Sequence, residues 1–274
     1  MSKKPFGNKL FVALLISAAA VLATASAETD KNAREQVTQI VSRVQRADYE
    51  GDRPTLKKCY EELTPYVDDR DLGARVRYWR GFDLWRDAIN GFNESGDPNE
   101  LEQLLVKAID EFKDATVKDP AFVDAKIGTI SCLGYIAFIH RKDQVRTQGL
   151  LAQMGPLIKE AKAAAPDNPR LTWVLGPVLW YTPPERGGGI DKVIESYEKG
   201  LEACSKIKAP SDPLEPSWGK PELMMSLAYT LMSKKPADLN AAERNAHGAL
   251  EIVPYWHYTR DILLPQILAA KEKK

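Results

Sequence analysis

Apolar residues recur at spacings of three and four along almost the whole chain, and no stretch alternates with the period of two and the β-branched bias of a strand. That periodicity confines the chain to helices. Val37, Ile40, Val41 and Val44 line a first helix; Leu56, Tyr60, Leu63 and Val67 a second; Tyr78, Phe82, Trp85 and Ile89 a third. Further stripes follow through Leu101–Ala115, Leu151–Ala161, Ile190–Cys204, Leu223–Leu231 and Ala242–Leu250, and a last helix is expected from about Tyr258 to Ala270. Turn signals separate them: Gly51-Asp52 with Pro54 in the first turn after it, Gly91 to Pro98, Asp119-Pro120, Ala165 to Pro169, and Val253-Pro254. The expectation is an all-α chain of about eleven helices, stacked as antiparallel pairs that need neighbours to bury their faces. Ile127 to Ile139 carries no charge over 13 residues. It is too short to span a bilayer and reads as a helix buried on most sides.

The first 27 residues stand apart. Lys3, Lys4 and Lys9 precede an apolar run, Leu10 to Leu22, and Ala25-Ser26-Ala27 offers a small-x-small cleavage site. This is the pattern of a secretory signal peptide cleaved after Ala27, which implies a periplasmic or secreted protein with no membrane span after its removal. Residues 28–274 then form a single helical-repeat domain. Removing residues 1–27 takes three lysines and no acid, leaving 35 basic and 38 acidic side chains, a net charge of −3. Such a chain has no strong attraction for nucleic acid. The three cysteines, Cys59, Cys132 and Cys204, are too few for a disulfide scaffold and read as small buried hydrophobes, with a single bridge as the alternative.

Several helix pairs resemble tetratricopeptide repeats. Ala108, Phe112, Ala115 and Pro120 stand at the spacing of that family's second helix. Ala242, Ala249, Leu250 and Pro254 do so again with Ala246 in the aromatic place, as do Ala161 and Pro166 with Ile158 there. Leu133-Gly134 and Leu175-Gly176 are remnants of the first-helix signature. The resemblance implies a right-handed solenoid of stacked hairpins; it specifies packing and names no ligand. The stretch from Trp173 to Leu201, with its P-x-E-R-GGG turn and the Lys192 to Leu201 helix after it, is also similar to the T component of TRAP transporters, a periplasmic trimer.

Candidate binding residues gather in that stretch. Trp173, Trp180 and Tyr181 are placed to line an aromatic pocket, and Pro177 is expected to kink their helix or end it early. Arg186, Gly187, Gly188 and Gly189 precede a helix, so their N–H groups form either an anion cradle or a structural turn; the Lys-Ser/Thr of a phosphate loop is missing. Trp218 lies in the irregular segment Ala209 to Pro221, either plugging it onto the helices or meeting a partner. Arg75, Arg77, Arg80 and Arg86 interleave with Asp69, Asp71, Asp83 and Asp87, a pattern of ion pairs first and of an anion site second. His140, His247 and His257 are scattered, so no metal site is expected, and no nucleophile motif or cofactor fingerprint is present. The expected function is therefore non-enzymatic: a protein or peptide partner on a helical scaffold. The alternatives are a transporter's solute-binding subunit using Trp180, Tyr181 and the glycine turn, and an enzyme built around His257 with Tyr255 or Tyr258.

Overall fold

The computed structural model describes residues 31–273, so the signal-peptide reading of residues 1–27 lies outside the described residues. Among these residues there is no strand. Eleven α-helices follow one another: α1 (31–50), α2 (Arg53–Leu63), α3 (Gly73–Asn93), α4 (Pro98–Lys118), α5 (Val123–Ile139), α6 (Gln144–Ala164), α7 (Pro169–Tyr181), α8 (Ile190–Lys206), α9 (Lys220–Ser233), α10 (Leu239–Ile252) and α11 (Leu264–Glu272). None is long and apolar enough to cross a membrane. The helices begin where acidic or amide side chains cap them. Asp52, Asp97, Asp143, Asn168 and Asp238 each accept a backbone N–H of the first turn, and Pro54, Pro98 and Pro169 occupy first-turn positions where no N–H is needed.

Sequential helices pack on one another from α2 to α6 and again from α7 to α11, and α3 on α5, α5 on α7 and α7 on α9 join alternate members. Close approach explains the small residues. Phe112 of α4 is wedged between Gly81 of α3 and Gly128 of α5; a Cβ would fall 2.8 Å from the ring at Gly81 and 2.4 Å at Gly128. The α3 stripe of Tyr78, Trp79, Phe82 and Trp85 is fully buried and forms the spine of the core.

Beyond neighbour-to-neighbour stacking, the chain closes on itself. The 207–219 segment returns to α3: the indole Nε1 of Trp79 donates to the Leu214 carbonyl at 2.8 Å, and that of Trp218 to the Tyr78 hydroxyl at 2.8 Å. Arg75 of α3 holds Glu215, and Arg34 of α1 holds Asp212. Tyr49 of α1 packs edge-on to Trp256 and donates to Glu222 of α9 at 2.7 Å.

The α6 stripe is less covered than its spacing suggests. Only Met154 and Ala161 of α6 are fully buried, and Leu151 is 46% exposed. The outer face of α6 is uncovered because α7 packs back onto α5. Pro177 does not end its helix; α7 continues to Tyr181. The last helix opens instead with a π-helical stretch, Tyr258–Leu263, just before Pro265, whose missing N–H interrupts the regular ladder. All three cysteines are free, which closes the disulfide alternative; burial pushes the Cys59 thiol up to about 11.

Candidate functional site

A cleft of about 360 Å³ opens between α3, α5, α7, α8, α9 and the start of the π-helical stretch. Eight of its sixteen lining residues are tryptophan or tyrosine, so its walls offer flat π faces. Trp173 is the floor. Its ring stands 5.9 Å from Trp85 and 5.7 Å from Trp218, and its Nε1 donates to the Ser226 hydroxyl at 2.8 Å, which fixes the indole plane. The Trp180 ring lies tilted against Tyr229 at 5.9 Å, and Tyr135 and Tyr258 also line the cleft. Tyr181, 69% exposed, stands at the mouth 6.5 Å from the exposed Phe138. Tyr197 reaches the cleft across Gly176, where a Cβ would sit 1.8 Å from its hydroxyl oxygen, so the glycine is required for this ring to lie here. Pro177, also in the lining, supplies no N–H to the carbonyl of Trp173 one turn back.

Arg86 is the single charged residue in the lining, and its side chain is only 4% exposed. Its Nε donates to Asp48 Oδ1 at 2.7 Å, while Nη2 stands 3.9 Å from Glu222 Oε1. Nη1 has no partner, nor has Asp48 Oδ2. Asn90, one turn further along α3, donates to the Asp48 carbonyl at 3.1 Å. Burial pushes the Asp48 and Glu222 carboxyls up, against the pull of the guanidinium they share. Burial likewise raises the Tyr135 phenol to about 12, so it is a neutral donor and acceptor at any physiological pH.

The candidates from the sequence divide. Trp173, Trp180 and Tyr181 come together in the cleft. Arg186 and Gly187 lie exposed on the neighbouring turn, outside the lining, and Gly188 is buried within it. The N–H groups of Gly187, Gly188 and Gly189 donate to the carbonyls of Pro184, Pro183 and Leu179, so the three glycines spend their donors within the turn, as the structural-turn alternative requires. Trp218 is a core plug, 6% exposed. The α3 arginines pair chiefly with carboxylates from outside α3 rather than with the interleaved aspartates: Arg77 and Arg80 with Glu111, Arg75 with Asp119 and Glu215, and Arg86 with Asp48. His257 is exposed, bound to Asp261 and absent from the cleft lining, although Tyr258 is in it. Tyr135, Tyr197 and Tyr229 escaped the sequence reading, because a tyrosine on a helical stripe has no mark that separates a core ring from a cleft ring.

A second, wider groove of about 590 Å³ runs between Ile194 and Lys271. Its cations are already engaged, Lys234 with Asp191 and Lys271 with Glu243. The aromatic cleft is the stronger site. Among the described residues no group of three His, Cys, Asp or Glu side chains is placed to hold a metal ion.

No protein-family model and no curated protein matches this chain. Among solved structures, the HusA haemophore from Porphyromonas gingivalis superposes with a TM-score of 0.57 over 73% of this chain and 94% of its own, at 19% identity. At that identity the likeness is one of fold.

Proposed function

We propose that this chain is an exported, non-enzymatic helical-repeat binding protein whose cleft takes a flat, mainly apolar small molecule. The observation that carries this reading is the cleft itself: eight aromatic side chains converge on one space, with a single charged group at its floor. A volume of about 360 Å³ falls at the small end of the range for small-molecule sites and suits a few fused rings. Aromatic walls give such a ligand stacking area at low entropic cost. The fold likeness to a protein called a haemophore makes haem a ligand to test beside smaller ones. The cleft would meet haem with five tyrosines and Met225 and with no histidine.

Native mass spectrometry of the chain purified from its own source is the test. A retained small-mass adduct that is lost in Trp180→Ala supports the reading. A chain that carries no adduct, and neither takes up haem with a saturating Soret change nor binds a naphthalene probe, overturns it. A protein or peptide partner is the second reading. It is favoured by the exposed pair Phe138 and Tyr181 at the cleft mouth, and a co-purifying protein in the same experiment would move the assignment to it.

A further inference from the structure

The guanidinium of Arg86 is only partly used. An arginine and a carboxylate in direct contact ordinarily pair through two parallel hydrogen bonds. Here Asp48 gives one oxygen, Oδ1, to Nε, and its Oδ2 stays unpartnered. The Asn90 amide sits 3.3 Å from the same Oδ1 and bonds the Asp48 carbonyl, which holds this carboxylate at the Nε end of the fork. Glu222 lies on the Nη2 side and is already satisfied by the Tyr49 hydroxyl and the Gly219 N–H, both at 2.7 Å. Neither terminal nitrogen has a hydrogen-bond partner: Nη1 is enclosed without an acceptor, and Nη2 stands 3.9 Å from Glu222, on a residue that lines the aromatic cleft. A buried guanidinium N–H without an acceptor is costly, and a ligand oxygen that meets it recovers that cost on binding.

The charge of the ligand's oxygen follows from the neighbours. One guanidinium already faces two buried carboxyls, Asp48 at 2.7 Å and Glu222 at 3.9 Å. A third carboxylate brought into this enclosure would compete for the same cation without water to screen it. A neutral oxygen takes the hydrogen bond and adds no charge.

Resting on the cleft reading above, we infer that the ligand carries an uncharged carbonyl-type oxygen at one edge of its ring system, which accepts a hydrogen bond from the unpartnered end of the Arg86 guanidinium while the rings lie between the aromatic walls.

Equilibrium dialysis of the full mature chain against three probes of one shape tests this: 2-acetylnaphthalene, 2-ethylnaphthalene and 2-naphthoate. The ketone is expected to bind about tenfold to a hundredfold tighter than the ethyl compound, the value of a hydrogen bond to a charged donor. It is also expected to bind tighter than the carboxylate. In Arg86→Lys, which keeps a cation beside Asp48 but withdraws the fork, the ketone's advantage over the ethyl compound is expected to vanish. Equal binding of ketone and ethyl compound by the native chain overturns the anchor and leaves the cleft reading standing. Tighter binding of naphthoate than of ketone overturns the neutral-oxygen assignment. No binding of any probe or of haem removes the cleft reading itself. Should Arg86→Lys fail to fold, the comparison on the native chain decides alone.

Discussion

Replacing Asp83 with asparagine is expected to stabilise the protein, and increasingly so as pH rises. Asp83 sits in the middle of α3 at 1% exposure with Oδ2 unpartnered. Arg80, one turn before it, spends its guanidinium on Glu111, the Tyr60 carbonyl and Thr64. Burial first, then the nearby Asp87 and Asp48 charges, push the Asp83 carboxyl well above the ordinary range. In the unfolded chain it titrates near pH ~3.9. Between that value and its folded pKa, the native state holds a proton that the unfolded state has lost. Stability therefore falls as pH rises, by about 1.4 kcal/mol per pH unit, and the group's contribution is intact only below about pH 4. Asparagine has the same shape and cannot ionise, so it removes that slope. The two proteins should be about equally stable near pH ~4, and the lead of Asp83→Asn should widen as pH rises until the folded carboxyl itself titrates. Asp48, Asp87 and Glu222 are also pushed up by burial, but they are present in both proteins and largely cancel in the difference. Urea denaturation followed by circular dichroism at a series of pH values measures it. A difference that is flat across pH, or a less stable Asp83→Asn at the upper end, would refute the reasoning.

Other outcomes follow from the packing. Phe112→Ala empties the space between Gly81 and Gly128 and should cost about 3–5 kcal/mol in denaturant unfolding; a cost below about 1 kcal/mol would mean the three helices close over the gap. Gly176→Ala sets a methyl group against the Tyr197 hydroxyl, so it should cost about 1–3 kcal/mol and, by displacing that ring, weaken probe binding in the cleft; unchanged affinity would separate Tyr197 from the site. Arg86→Ala strands Asp48 in the core and should cost about 3–5 kcal/mol at neutral pH, seen as a lowered Tm. Leu151→Ser on the outer face of α6 should change stability by no more than about 0.5 kcal/mol, and a larger loss would mean that something covers this face in solution.

Helix number, helix boundaries and most core faces were legible because they are local. A spacing of three and four puts Tyr78, Phe82 and Trp85 on one side of α3 whatever lies opposite, and Pro54, Pro98 and Pro169 mark helix starts by a chemistry each carries alone. Trp180 and Tyr181, beside the glycine turn, were placed in the site by their position at the end of an aromatic helix. What the chain could not reveal by itself depends on which helix comes to lie against which. Arg86 is one of four arginines on α3, and only the approach of Asp48 from α1 and Glu222 from α9 makes it a buried, partly used cation at a cleft floor. Trp218 is a plug because residues 207–219 return to α3, a contact across 140 positions that no periodicity encodes. Tyr135, Tyr197 and Tyr229 face the cleft from three different helices, and each reads in sequence as one more ring on a stripe. Periodicity says which side of a helix is dry; only the packing of the helices decides whether that side meets a neighbour or an open space.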